Sequence, residues 1–333
     1  MDYLVSVIIP VYNRKDCIER CVGSVIKQSS AGRFQIILVD DGSTDGASEV
    51  CDMLAEKYSE VSAFHQQNAG VSAARNFGIG KAQGKWISFI DCDDYVLDGF
   101  YDELLMGEDA DLLCCDFFFE EGGITPISEY IEEGTYYKKD FPTVLYPVMI
   151  KEAVFYSACN KIFKSKIIRN NDIQFVVGKK YAEDMTFVYD YVKHIESFKY
   201  INKKLYYYYF SPDSTSFIVS KAFETYKSSF VYKVDYFKDF DSDGKLFYDI
   251  RRSFLMNAMD SLYVASHTLR FFEAVKYVRS VLNDEVFRKN YLEKPIMAKG
   301  IFNLLNRTVL SNKPFLFVLF AKLNEARVNL LSK

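Results

Sequence analysis

The chain of 333 residues is poor in several things, and each shortage excludes something. It contains no run of 18 apolar residues, so no helix of it is expected to cross a bilayer. Only three histidines occur, at 65, 194 and 267, in unrelated contexts, which leaves a histidine-based nucleophilic system without support. There is one tryptophan, and there are seven prolines, of which only Pro295 and Pro314 lie beyond Pro212. No G-x4-G-K-[ST] phosphate loop is present, and Gly78, Gly80 and Gly84 fail the G-x-G-x-x-G spacing and read as a helix end. There is no excess of basic charge: the net is −4, which argues against nucleic acid as a partner. The seven cysteines (17, 21, 51, 92, 114, 115, 159) are odd in number and follow no secretory leader, which suggests reduced thiols in a cytoplasmic protein.

What is present is a globular composition: 49% hydrophobic, 26% charged and 17% aromatic, with 29 Phe and 25 Tyr. Charge is uneven, however. Residues 294–333 carry seven basic groups against Glu325, a net of +6, leaving −10 for everything before them. Such a tail suggests a separate role or partner.

The first hundred residues alternate strand and helix patterns. Strands are expected at 5–9, 35–39, 61–65 and 86–90, with helices at 15–28, after Asp45, and at 71–81. That alternation implies right-handed crossovers and a parallel sheet, whose carboxyl ends bind ligands. Those ends carry Pro10-Val-Tyr-Asn13, Asp40-Asp41-Gly42 and Asp91-Cys-Asp-Asp94. From 110 to 215 the pattern is less regular. A strand is expected at 112–119, a turn at Gly122-Gly123, a helix at 140–150 interrupted by Pro147, a helix at 183–194, and strands at 198–201 and 205–210. Helical periodicity dominates afterwards, giving an α/β domain over 1–215 and a helical region over 216–333.

Asp91 and Asp93 lie on the same side of an extended tripeptide. Hard oxygen ligands at that spacing suit Mg²⁺ or Mn²⁺ sharing its shell with substrate phosphates. Arg75 could grip a diphosphate. The two acids Glu183-Asp184 open a helix and are candidates for taking a proton, or are simply favoured there by the helix dipole. Cys17 and Cys21 share a helix face, and without further ligands they are expected in the core.

Four segments then carry a resemblance: Val5-Ser-Val-Ile-Ile-Pro-Val-Tyr-Asn13, Leu38-Val-Asp-Asp-Gly-Ser-Thr-Asp45, Gln67-Asn-Ala-Gly-Val-Ser-Ala-Ala-Arg-Asn76 and Gly84-Lys-Trp-Ile-Ser-Phe-Ile-Asp-Cys-Asp-Asp94. In this order they resemble the family 2 inverting glycosyltransferases of the GT-A fold, of the kind that builds capsule and cell-wall polysaccharide. Ala182-Glu-Asp184 resembles the family's later E-D motif. The resemblance implies a GT-A sheet with helices on both faces, and inverting transfer of one sugar from a nucleotide diphosphate, of uridine by expectation, to a hydroxyl. It implies Pro10 and Tyr12 along the nucleoside pocket, Asp40 on the uracil imide, and Asn13, Asp41 and Cys92 within the same donor site. Arg75 would approach the diphosphate, Asp91 the ribose or metal, and Asp93 the metal. Asp184 would be the base, with Glu183 orienting the acceptor or the helix. Lys161, in Asn160-Lys161, is either a donor-site lysine or an ordinary surface one. Phe210 stands where many relatives carry Arg, and the processive Q-x-x-R-W signature is absent, which fits addition of one sugar at a time.

Two rival classes remain at this level. A nucleotidyltransferase would place a Gly-rich, Arg-containing loop after the first strand, where this chain has Pro10-Val-Tyr-Asn-Arg14. A catalytically silent nucleotide-sugar binder would lack a metal or base carboxylate, and both Asp93 and Asp184 are present. The expected partners are a sugar nucleotide and a saccharide or lipid-linked acceptor. For 295–333 the expectation is either peripheral contact with an anionic membrane or packing against the catalytic domain or a second subunit in a homodimer.

Overall fold

The computed structural model describes residues 3–28, 34–106, 110–118, 129–151, 153–179, 181–209, 219–241, 244–293 and 301–331. The chain divides into two compact units, Met1–Phe210 and Ser211–Lys333. The Gly122-Gly123 turn, the stretch from Phe210 to Ser216 and Pro295 lie outside the described residues.

The first unit opens with β1 (Val5–Val11), α1 (Lys15–Ile26), β2 (Phe34–Asp40), α2 (Ala47–Lys57), β3 (Val61–His65), α3 (Val71–Lys81) and β4 (Trp86–Phe89). It continues with β5 (Tyr95–Val96), α4 (Phe100–Leu105), β6 (Leu112–Phe118), β7 (Gly134–Tyr137), α5 (Leu145–Lys151), α6 (Ala153–Tyr156), β8 (Lys161–Lys164), α7 (Ser165–Asn170), α8 (Glu183–Val192) and β9 (Ser197–Tyr207). One sheet runs β3-β2-β1-β4-β8-β6-β9-β5, with β7 added against β9. The β3-β2-β1-β4 half is parallel, whereas β8 pairs antiparallel with both β4 and β6. Strands β1 and β2 are buried along their whole length, which is why they read as continuous apolar runs.

Chain order reverses about β1 and β4, and the crevice at such a switch is where open α/β sheets bind ligands. Helix α3 lies tight against β1. Gly78 and Gly80 fall in the last turn of α3, the helix end expected there, and a Cβ on Gly78 would sit 2.4 Å from Ile8 Cγ2, so this glycine also serves close helix–sheet packing.

Two local expectations change. Pro147 does not interrupt a helix: it lies in the first turn of α5, where backbone N–H groups have no intrahelical partner to lose. The two short strands expected at 198–201 and 205–210 are one strand, β9. Its pairing with β6 jumps from Cys115↔Ile201 to Asp116↔Lys204, so the polar Asn202-Lys203 step is a bulge and not a break. Strands β5, β7 and β8 and helices α4, α6 and α7 gave no sequence signal, being six residues or shorter.

The second unit consists, among its described residues, of α9 (Val219–Phe237), α10 (Lys245–Thr268), α11 (Phe271–Leu282), α12 (Glu285–Glu293), α13 (Ile301–Leu310) and α14 (Pro314–Leu331). Helix α10 packs on α9, α11, α12 and α14, and Phe230 stacks on Phe254 with ring centroids 4.5 Å apart. In α14, Phe317, Val318 and Ala321 are buried while Phe315 and Leu323 are exposed, so much of its apolar run packs within this unit. No described helix is long and apolar enough to cross a membrane. All seven cysteines are free, and Cys21, Cys51, Cys92, Cys114, Cys115 and Cys159 are buried.

Candidate active site

At the end of β1 the chain turns through Asn13, whose φ of +50° is left-handed, a region that Asn tolerates better than most residues. Its side chain fixes the neighbouring strand end: Thr44 N–H donates to Asn13 Oδ1 at 2.8 Å, and Asn13 N–H donates to Ser43 Oγ at 3.0 Å. Pro10 is buried in β1, and Tyr12 projects beyond it with 49% exposure.

The β2 end carries two buried acids with different jobs. Asp41 receives Gln66 Nε2 and Ala69 N–H on one oxygen (2.7 and 2.8 Å) and Gly70 N–H on the other (2.8 Å). It therefore shapes the loop entering α3. Asp40 accepts from Ser43 N–H (3.0 Å), Ser48 Oγ (2.6 Å) and the His65 ring (3.1 Å). Burial opposes its ionisation, but these hydrogen bonds outweigh burial and hold its pKa below the ordinary value.

The Asp91–Asp94 turn after β4 is braced from β9. Tyr206 Oη donates to Asp94 Oδ2 at 2.7 Å and accepts from Asp91 N–H at 3.3 Å, and Tyr209 N–H donates to Asp94 Oδ1 at 2.8 Å. Asp94 is thus a buried support. Arg20 of α1, lying over the Tyr95 and Tyr209 rings, donates to the carbonyl of Asp93. Cys92 is buried, and Asp91 and Asp93 stay partly open at 35% and 26%. Burial, then the charge of Asp91, raises the pKa of Asp93, so the Asp91 charge opposes ionisation of Asp93. A hard dication relieves that conflict. Among the described residues no group of three or more potential ligands gathers into a metal site. Two carboxylates with the rest of the shell left to phosphate oxygens and water fit the way Mg²⁺ is held beside a substrate diphosphate.

Arg75 is 3% exposed and joins both acidic regions. One terminal nitrogen donates to Asp91 Oδ1 at 2.7 Å and the other to Asp184 Oδ1, while the guanidinium lies 5.0 Å from the Phe175 ring centroid. Asp184 sits in the first turn of α8, which starts after Ala182 in a left-handed conformation (φ +57°). Its second oxygen accepts from Ala158 N–H at 3.3 Å. Burial raises the pKa of Asp184 and Arg75 pulls it back, leaving a net rise. Burial and the charge of Asp184 push Glu183 up to about 7.

The expectations from sequence thus separate. The structure brings Asp91, Arg75 and Asp184 into one network, with Asp93 beside them. Arg75 reaches protein carboxylates through both terminal nitrogens, and Asp41 is engaged by backbone. Lys161 is not a surface lysine: it is 0% exposed, its ammonium donating to Ser157 O (2.9 Å) and Asn160 Oδ1 (2.6 Å), and burial pushes its pKa down to about 8. It braces the segment whose Ala158 N–H holds Asp184. Nothing in the sequence singles out Tyr206, Arg20 or His65. Tyr206 sits in a run of tyrosines that reads as core, and His65 gains meaning only from the β2–β3 register, which places it beside Asp40.

Comparisons with known proteins bear on the family and the fold. The model for "Glycosyl transferase family 2" matches residues 6–172. The Escherichia coli (strain K12) protein described as uncharacterized glycosyltransferase YibD is 28% identical over 318 residues, covering 92% of this chain and 88% of that protein. Among solved structures, Staphylococcus aureus TarS 1-349 in complex with UDP-GlcNAc superposes with a TM-score of 0.65 at 19% identity, covering 97% of this chain and 92% of that one. The Pyrobaculum calidifontis mannosyltransferase PcManGT, in complex with GDP-Man and Mn²⁺, superposes with a TM-score of 0.52 at 14% identity over 97% of this chain and 87% of its own. On the family match, the four motifs and the shared architecture, this chain belongs to glycosyl transferase family 2 and is a glycosyltransferase of the GT-A fold.

Proposed function

We propose that the protein transfers a single sugar, with inversion, from a UDP-sugar to a hydroxyl of a saccharide or lipid-linked acceptor in surface-polysaccharide synthesis. The observation that carries this reading is the Asp91–Arg75–Asp184 network, which sets a carboxylate able to accept a proton one guanidinium away from the donor-side acids. TarS with UDP-GlcNAc, a structural neighbour, supports uridine as the nucleoside.

In this reading Tyr12 and Pro10 flank the base, and Asp40, ionised and held by Ser43, Ser48 and His65, accepts from its imide. Asn13 and Asp41 hold the loops around it, and Cys92 packs beneath the turn. Asp93, with Asp91, would hold Mn²⁺ or Mg²⁺. Such an ion neutralises charge developing on the departing diphosphate. The PcManGT complex with Mn²⁺ supports the use of a divalent cation. Asp184, oriented by Arg75 and Ala158 N–H, takes the acceptor proton on the face opposite the leaving group, as one-step inversion requires. Glu183, raised by burial, orients the acceptor. Lys161 acts through the Ser157–Asn160 segment.

The test is turnover of a panel of UDP- and GDP-sugars with Mn²⁺, in the native protein and in Asp184→Asn. Loss of about 10²–10⁴ in rate with UDP binding retained is expected for a missing base. Asp184→Asn that keeps its saturated rate but loses UDP affinity would refute the assignment, and Glu183→Gln is expected to be milder.

A further inference from the structure

His65, the last residue of β3, pairs in register with Asp40, the last of β2. Its two ring nitrogens face two carboxylates: Nδ1 lies 3.1 Å from Asp40 Oδ2 and Nε2 lies 3.0 Å from Asp52 Oδ1 on α2. A neutral imidazole has one N–H and would turn a lone pair toward one of these acids, whereas the imidazolium donates to both. Among the described residues, the charged groups that act most strongly on the ring are these two. The nearby Cys51 thiol of α2 is buried, which with Asp40 and Asp52 pushes it up to about 12 and keeps it neutral. Asp40 is 2% exposed and Asp52 is open to solvent, so the histidine links a buried donor-site acid to the surface.

We propose that His65 is a positioning residue of the donor site: as an imidazolium held by Asp52 it orients Asp40 toward the nucleobase, so that donor affinity falls as pH rises past neutrality. This rests on the reading of Asp40 as the nucleobase acceptor. The sign follows from charge. The Asp40–His65–Asp52 group carries −1 with the ring protonated and −2 with it neutral, and a nucleotide diphosphate is itself an anion. Hydrogen bonds to both carboxylates raise the His65 pKa, so the favourable form is complete below the ordinary imidazole value and is lost as pH rises through the raised one.

The experiment measures UDP and GDP affinity by calorimetry from pH 6.5 to 8.5 for the native chain, His65→Asn and Asp52→Asn, together with the His65 ring pKa by NMR. Asparagine keeps a donor toward Asp40 but not the charge. Native affinity is expected to weaken by at least about threefold more than that of His65→Asn across this range, the ligand's own titration being common to both. By linkage UDP raises the His65 pKa by the same factor. Asp52→Asn should lower that pKa and move the affinity profile to lower pH. Equal pH slopes in native and His65→Asn protein, or a His65 pKa indifferent to UDP, would overturn the inference while leaving the donor reading intact. Failure of both nucleotides to bind at any pH would overturn both.

Discussion

Replacing Arg75 by Met tests whether the network at the strand ends is electrostatic. The side chain is almost fully buried between Asp91 and Asp184, and methionine fills most of its volume while removing the charge. Breaking a buried pair by deleting one partner costs about 3–5 kcal/mol. The carboxylates left behind keep 35% and 20% exposure, so water screens part of that cost and about 2–3 kcal/mol is expected. For a unit of this size each kcal/mol moves Tm by about 2–4 °C, which gives a loss of about 4–12 °C. The single tryptophan, Trp86, is fully buried at the start of β4, so its fluorescence follows this unit's unfolding.

The sign with pH is the decisive part. Burial raises the Asp184 pKa and Arg75 opposes it, so without Arg75 that pKa climbs further. An acid whose folded pKa is raised destabilises the fold when ionised, and the penalty fades as pH falls through the raised value. The deficit of Arg75→Met is therefore expected to be larger at pH 8 than at pH 5. Arg75→Lys, which keeps the charge but cannot bridge both acids, should recover part of the high-pH stability and little of the turnover. A deficit equal at both pH values, or absent at both, would refute the electrostatic reasoning.

Two further outcomes are expected. Asp93→Asn should abolish metal-dependent turnover and Mn²⁺-dependent UDP binding with little change in Tm. Asp94→Asn should instead lower Tm, because it weakens a buried acceptor of Tyr206 and Tyr209; full activity of Asp93→Asn, or in excess EDTA, would exclude a metal role. For the +6 segment at 294–333, co-sedimentation of the full chain with phosphatidylserine vesicles at low and high salt tests membrane contact, each Lys or Arg near such a surface being worth about 1 kcal/mol. Absence of binding at both salt concentrations would leave these helices a packing role alone.

Local patterns in the sequence determined the alternation of β1 to β4 with their helices, because buried parallel strands must be apolar throughout and helices carry a repeating apolar face. They also determined that Asp40, Asp91 and Asp93 would lie at strand ends, since a parallel sheet brings those ends to one edge. Residues whose roles depend on distant partners were not legible. Arg75 meets Asp184 across 109 positions, Tyr206 meets Asp94 across 112, and nothing in their neighbours announces either pair. From sequence Lys161 is either a donor-site lysine or a surface one, yet β8 inserts between β4 and β6 and carries it into the interior, where backbone and Asn160 oxygens receive its ammonium. His65 reads as the end of a weak strand until the β2–β3 register sets it beside Asp40 and the packing of α2 adds Asp52. Periodicity is a short-range property that each segment expresses alone, whereas the charge pairing of a site exists only once separate segments have been brought within hydrogen-bonding distance.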